Sequence, residues 1–443
     1  MGEDKISSLL IKFSIPAIAG TLINALYNVV DRIFVGRAIG DLGIAATAVS
    51  FPMMMILMGL GMLIGFGSST LISIHLGEKN LKQAQKIFGQ ALVLFFILSL
   101  FFGFFIQIWL KDLLLFFGAS ENVLPYARDY MRIILFGTFF HLISFGVNSF
   151  IRAEGKPTAA MITMFLGAGL NIIFDYILII KLNMGMKGAA IGTIGAQIIS
   201  SLWVLRYFLS SQSTLKIRLC DLRIDPALIK RVIAMGSPQC IFHLIGSFVQ
   251  ALMNNQLFKY GGDIAISSMG VIFSVSIFVV MPMIGLSQAM QPIVGFNYGA
   301  KKMSRAFSAY KLSCIGSSVY SFSAWLLIMI FSKQMVSLFT RNSTELIQTG
   351  SHQLKIFMFM IPLVGFIITT ASFFQAIGKP GISLLLNLGR QTIILIPLMY
   401  LFPLFFGLDG VVAAMPASDA AAFITAIVFI NREKSGALSP KIS

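Results

Sequence analysis

The sequence predicts an all-α polytopic membrane protein, with twelve transmembrane helices forming two pseudo-symmetric six-helix bundles around a central cleft. Three observations carry that expectation: too few charges for a water-facing surface, twelve long apolar runs, and a self-similarity at about half the chain length. Of 443 residues, 57% are hydrophobic and 11% charged, and the mean hydropathy is +0.87. A soluble domain carries about 25% charged residues, so most of this chain must be solvated by lipid.

A membrane-spanning helix needs about 20 mostly apolar residues. The runs 13–33, 44–74, 87–108, 129–151, 159–181, 186–208, 232–258, 264–297, 306–331, 352–377, 382–405 and 409–430 meet that length. Several exceed one perpendicular crossing, which predicts tilt or a wet end. Membrane strands would instead show short alternating segments. The start, Met1 to Lys12, is short and of mixed charge, so no cleavable signal is expected and the first span serves as its own insertion signal.

With the N-terminus in the cytoplasm, the inner segments hold about twice as many Lys and Arg as the outer ones. The longest basic segment joins spans six and seven and carries Arg206, Lys216, Arg218, Arg223, Lys230 and Arg231. This bias predicts that both termini are cytoplasmic. It also accounts for the net charge of +16 without a nucleic-acid partner, for which no basic, aromatic-interleaved soluble domain exists. Cys220, Cys240 and Cys314 are scattered, so no disulfide and no fixed metal site is expected.

At an offset of 222, Pro16 meets Pro238, Gly40-Asp41 meets Gly262-Asp263, Gly77 and Lys79 meet Gly299 and Lys301, and Gly185 and Gly188 meet Gly407 and Gly410. At 223, Gly155-Lys156-Pro157 meets Gly378-Lys379-Pro380. Each repeat holds an even number of spans, so the two are parallel about an axis along the membrane normal. The expected organisation is an N-terminal bundle at 1–208, a basic cytoplasmic linker at 209–231, and a C-terminal bundle at 232–443 with a short cytoplasmic tail. Two like bundles around a cleft can rock between inward-open and outward-open states, which predicts transport; a static scaffold is the alternative.

The halves share a frame but not their chemistry. Asp31 lies in span one and Asp175 in span five, where the offset places Met253 and Pro397. Intramembrane acids are costly and usually mark ion or proton sites. At about 1.5 Å of rise per residue, Asp31 lies roughly 27 Å and Asp175 roughly 24 Å from the cytoplasmic end. Asn28 and Asn171 each lie one turn below an aspartate, and Thr193 reaches a similar level from the outer end of span six. Two carboxylates, two amides and a hydroxyl thus share one depth. Two close carboxylates in low dielectric cannot both ionise cheaply, so one pKa rises and the pair holds a proton. The same oxygens suit Na⁺. The competing readings are an ion pair of Asp31 with Arg32 and a helix–helix hydrogen bond at Asp175.

In the second half, Asp419 near the middle of span twelve and Arg390 in span eleven are candidates for a buried charge pair, since either alone would be expensive. Gln250, Asn254 and Asn255 in span seven, with Gln288 and Gln291 in span eight, are candidates to line a cleft or bind substrate; interhelical glue is the alternative. The 24 Met and 41 Phe supply soft and flat surfaces suited to apolar cationic ligands, although most must face lipid or pack. His75, His141, His243 and His352 fall in no ligand spacing and read as structural. No nucleophile with a base at matched depth is evident, so an enzyme is not expected.

At these residues the sequence resembles the MATE (multidrug and toxic compound extrusion) transporters, within them the bacterial drug-exporting group. The resemblance rests on ALYNVVDRIFVGRAIGDLGIAA, QAMQPIVGFNYGAKKMSRAF, RAEGKP with QAIGKP, RQTIILIPL and FGLDGVVAAMPASD, in family order along nearly the whole chain. It implies a bacterial inner-membrane protein, functional as a monomer among lipids, that exports amphiphilic, often cationic small molecules in exchange for H⁺ or Na⁺, with no other cofactor. It also implies that Asp31, Asn171, Asp175 and Thr193 match the family's first-half cation site. Some members carry a second-half site with acids in spans seven and ten; spans 232–258 and 352–377 have none here. The loop HLGEKNLKQAQK between spans two and three does not fit the motif of major-facilitator transporters. Twelve spans with few intramembrane cations argue against a flippase for lipid-linked saccharides.

Overall fold

The computed structural model describes residues 1–339 and 344–438, without the side chains of Arg32, Asp41, Leu219, Ser247, Asp263 and residues 436–438. The Asp31–Arg32 ion pair therefore lies outside the described residues. Ten helices are long and apolar enough to cross a bilayer unbroken: α1 Ile6–Ile39, α2 Leu42–Gly77, α3 Leu81–Ile108, α5 Pro157–Lys181, α6 Gly185–Leu209, α7 Pro226–Gly262, α8 Ile264–Gly299, α9 Met303–Ser337, α11 Pro380–Leu401 and α12 Pro403–Ser435. Two bent pairs complete the set, α4 (Leu124–Phe136 with Thr138–Ala153, bent 66°) and α10 (Thr344–Phe357 with Ile361–Ala376, bent 47°). No strand occurs among the described residues.

Each apolar run is thus helical, and most helices overshoot their run by several residues. The two bends have local causes. Pro362 occupies the first turn of the second piece of α10, where its missing N–H breaks the ladder from the preceding piece. In α4 the break falls at Gly137 and is followed by a π turn over Ile143–Val147. Further π turns occur at Phe101–Phe105 in α3, Tyr176–Lys181 in α5 and Gly389–Ile394 in α11. Such bulges free backbone groups and often mark functional positions.

The chain divides into two compact units. The first comprises residues 1–3, 15–243 and 295–301; the second comprises 4–14, 244–294 and 302–443. In the first unit one apolar core gathers Phe88, Phe95, Phe150 and Phe208. Another gathers Val35, Ala46, Met131, Ile134, Ile179 and Ile194 around the ends of α1, α2, α4, α5 and α6. The second unit packs Met253, Met269, Leu354, Phe357, Met399 and Val411 into a core of its own. Outside these cores Phe104, Phe116, Phe405 and Phe406 stand exposed. Such surfaces are at home in lipid, not water.

The repeat is visible in the backbone. Gly40 and Gly262 have φ of 75° and 59°, Gly185 and Gly407 have 58° and 55°, and Gly155 and Gly378 have 88° and 80°. Even Lys79 and Lys301 match, at 60° and 58°. At Gly40 and Gly262 the accompanying ψ of −153° and −154° lies where only glycine is comfortable, so the same reversal joins α1 to α2 and α7 to α8. Gly77 and Gly299 serve a second purpose. A Cβ on Gly77 would lie 2.0 Å from the Phe296 carbonyl oxygen, and one on Gly299 would lie 2.0 Å from that of Ile74. The ends of α2 and α8 cross there, backbone on backbone.

The basic segment after α6 is tied down within the first unit. Gln90 accepts from the Asp225 N–H at 2.9 Å and donates to the Arg223 carbonyl at 2.6 Å. Gln85 makes the same two-sided contact with the backbone of Lys216. Glu154 accepts from the N–H groups of Thr214 at 2.8 Å and Leu215 at 2.7 Å, and from the Tyr207 hydroxyl at 2.9 Å. Replacing Glu154 with Ala should leave these donors unmatched. We expect thermal unfolding in detergent to register a loss of about 1–3 kcal/mol, with Glu154→Gln losing less.

Candidate functional site

The first unit brings a carboxyl pair together from two helices. Asp175 ends the regular part of α5, directly before the π turn Tyr176–Lys181, and is fully buried. The side chain of Asp31, on α1, lies within hydrogen-bonding range of the Asp175 carboxyl. One turn before Asp175, buried Asn171 donates from Nδ2 to Thr193 Oγ1 on α6 at 3.4 Å. Four of the five first-half candidates therefore form one cluster.

Asn28 stands differently. It is exposed, and its Nδ2 donates to the Asn24 carbonyl at 2.7 Å, one turn back along α1. Its amide nitrogen is spent on its own helix.

Two further residues complete the cluster. Tyr130 of α4 is buried, with its hydroxyl within hydrogen-bonding range of Thr193 and both aspartates nearby. The apolar run 129–151 begins only one residue before Tyr130, so the depth count left it near the outer end; the helix starts earlier, at Leu124, and carries Tyr130 to the level of Thr193. Gly192 of α6 carries no such signal. A Cβ there would stand 2.4 Å from Asp175 Oδ1, so the missing side chain is the space the carboxylate occupies.

The donor count is short. Neither Asp175 oxygen, nor Asn171 Oδ1, makes a well-formed hydrogen bond to a donor among the described residues, although all three atoms are buried and the Asn171 amide, engaged with Thr193, stands near the Asp175 carboxyl. An ionised carboxylate only accepts, and a buried acceptor without a donor costs about 1–3 kcal/mol or more. Chemically, the arrangement is a set of oxygens awaiting a cation, either a proton shared between carboxyls or a small metal ion.

In the second unit Arg390 Nε donates to Asp419 Oδ1 at 2.5 Å, and Asp419 is 3% exposed. The Ser418 hydroxyl donates to the Arg390 carbonyl at 2.5 Å, within the π turn Gly389–Ile394 that frees it. Gln250 Nε2 donates to Asn254 Oδ1 on the same helix at 3.4 Å. Gln291 Nε2 donates to Gln375 Oε1 at 3.2 Å and so links α8 to α10. Gln288 is half-buried and Asn255 exposed. Helix α10 starts earlier than its apolar run and takes in Glu345, which is exposed in the first turn and adds no buried ligand.

The MatE family model matches the chain twice, over residues 16–177 and 238–401. The chain belongs to the MATE family. The two matches begin at Pro16 and Pro238, the offset read from the sequence itself. Multidrug export protein MepA of Staphylococcus haemolyticus is 26% identical over 96% of this chain and 94% of its own length. MepA of Staphylococcus aureus strain MSSA476 is 26% identical over 95% and 93%. Among solved structures, the MATE multidrug transporter DinF-BH superimposes with a TM-score of 0.91 at 39% identity, covering 98% of this chain and 97% of that one. An outward-facing multidrug resistance MATE transporter of the MOP superfamily gives 0.93 at 25% identity, with the same coverage. These MATE structures share the twelve-helix fold.

Two outcomes follow from the geometry. Gly192→Ala should displace the Asp175 carboxylate and reduce dye efflux by about 10-fold or more while expression and insertion persist, since sub-ångström misplacement at a site is costly. Asp419→Leu or Arg390→Leu alone should destabilise by about 3–5 kcal/mol in detergent unfolding, whereas the double Leu variant should recover most of that loss.

Proposed function

We propose that this protein is a secondary active multidrug efflux transporter that exports amphiphilic, often cationic compounds in exchange for H⁺ or Na⁺ by alternating access. The observation that carries the coupling role is the Asp31–Asp175 pair: two groups that accept hydrogen bonds, within reach of each other, with no donor on either Asp175 oxygen among the described residues. A proton between them turns a repulsive contact into a hydrogen bond. Na⁺ would do the same, with Asn171 Oδ1 as a further ligand. Either way, the free energy of α1 against α5 depends on whether the cation is present. Pro16 leaves α1 short of one backbone hydrogen bond on the way to that contact, which eases its bending.

On this reading the cation enters from outside, where it is abundant, and closes α1 onto α5. It leaves inside, and the unshielded pair parts. Amphiphilic substrate is released as the site loads. Family membership and the export proteins among the relatives support the direction of transport. The excess of Lys and Arg on one side supports cytoplasmic termini in the bacterial inner membrane, with 209–231 as a cytoplasmic linker between an N-terminal and a C-terminal bundle. Each chain holds a complete first-half site, so one copy suffices for coupling. In the second half, the Arg390–Asp419 pair is internally neutralised and plays a structural part.

The test is dye efflux from proteoliposomes with a pH or a Na⁺ gradient imposed one at a time. The gradient that drives efflux identifies the ion. Asp31→Asn and Asp175→Asn should each lower driven efflux at least about 100-fold while the protein still folds and inserts. Full efflux by either variant sinks the coupling role.

A further inference from the structure

A second polar pair lies one turn from the carboxyl cluster and is not used by the mechanism above. Gln197 of α6 follows Thr193 by one turn. Its Nε2 meets His141 Nδ1 of α4 at 2.8 Å. The remaining edges, His141 Nε2 and Gln197 Oε1, are buried and meet no partner among the described residues. The contact is built rather than incidental. A Cβ on Gly137, one turn before His141, would lie 2.2 Å from Ile194, so α4 and α6 touch there and bring His141 onto Gln197. The π turn Ile143–Val147 then follows His141 directly.

His141 is also singular in charge. Between the aspartate level and the Lys/Arg-rich ends, the six helices of the first half carry no other ionisable side chain. α1 has none between Lys12 and Tyr27, α2 none between Asp41 and His75, and α3 none between Lys86 and Lys111. α5 has none between Lys156 and Asp175, α6 none between Lys187 and Arg206, and α4 only His141 between Arg132 and Arg152. The elements packed against this part of α4 are α2, α3 and α6, so no charged group faces the imidazole from them.

We propose that His141, held by Gln197, is a relay station that carries the coupling proton between the Asp31–Asp175 pair and the cytoplasmic half of the first bundle. The inference rests on the coupling role proposed above, with H⁺ as the ion. Glutamine suits the role because its amide serves both protonation states. With imidazole neutral, Nε2–H of Gln197 donates to the Nδ1 lone pair. When Nδ1 takes a proton, the amide turns and Oε1 accepts from the new Nδ1–H. The proton comes from the carboxyl pair past the level of Thr193, which lies one helical turn, about 6 Å of rise, from Gln197, with water as the carrier. The imidazolium then gives the proton on Nε2 to a water on the cytoplasmic side while Nδ1–H stays on Gln197 Oε1; water-assisted return of the proton from Nδ1 to Nε2 restores the first tautomer as the amide turns back, so only N–H and O–H bonds are made or broken. The repeat strengthens the assignment: at the 222 offset Gln197 corresponds to Asp419, which pairs with Arg390. The same position holds a polar residue facing a basic one in both halves, but only the first-half partner is an imidazole, which can take up and give back a proton without leaving its place.

The experiment measures dye efflux from proteoliposomes under an imposed pH gradient, at a series of absolute pH values, with equilibrium dye binding alongside. His141→Gln should bind dye as the parent does, lower the driven rate about 10-fold, and flatten its pH dependence. Gln197→Leu leaves the imidazole in place and removes its partner; the same flattening is expected, which guards against a simple folding defect in one variant. Parental rate and pH profile in both variants, with Asp175→Asn inactive, overturns the relay alone. Parental efflux by Asp175→Asn overturns the coupling reading beneath it.

Discussion

The arrangement of the first unit depends on an imbalance between acceptors and donors around Asp175. The carboxyl is wholly buried, it lies within reach of a second carboxyl, and among the described groups only the Asn171 amide, engaged with Thr193, stands near it, with no well-formed hydrogen bond to either oxygen. In water such a pair would be unremarkable. In a low-dielectric interior, two like charges at contact cannot persist without something between them. The local sequence makes room for this at some cost. Gly192 forgoes a side chain where the carboxylate sits, and α5 gives up regular helical pairing in the next turn. Packing that would seal the site has been withheld, which fits a site that fills and empties.

The repeat supplies the frame of both halves, but the chemistry differs between them. Left-handed turns recur at Gly40 and Gly262, at Gly185 and Gly407, and at Lys79 and Lys301, because a chain reversal between helices needs the same dihedrals wherever it occurs. Side chains are under no such constraint. Gln197 and Asp419 occupy matched positions, yet one meets a histidine of α4 and the other an arginine of α11. Asp175 matches Pro397, so the carboxyl pair has no second copy. Duplication has preserved backbone geometry and let the polar interior diverge, so the carboxyl pair stands in one half only.

Much of this was legible before any tertiary contact was known, because helical rise is nearly constant. Counting residues put Asp31, Asn171, Asp175 and Thr193 at one height, and the structure sets these four side by side. The same count included Asn28, whose amide turns back to Asn24. Height follows from residue number, but which way a side chain faces depends on how the helix is rotated against its neighbours. Tyr130 escaped the count because its helix starts at Leu124, five residues before the apolar run from which depth was measured. Gly192 and the His141–Gln197 contact had no signal, since a space and a cross-helix pair exist only once helices meet. The clamps of Gln85, Gln90 and Glu154 on the segment after α6 were likewise hidden, because that segment reads simply as a basic loop.

By itself, the sequence determined that the chain is helical and lipid-solvated, where its twelve apolar stretches run, that they repeat at 222, and which acids lie at bilayer depth. These follow from composition and from the fixed rise of a helix, both local properties. Tertiary structure decided which of those acids face each other, that their oxygens lack donors among the described residues, that α4 and α10 are broken helices, and that the titratable side chain below the pair is held by a glutamine. Each of these depends on the rotation and spacing of neighbouring helices. Those are set by many packing contacts at once, and no single stretch of sequence encodes them.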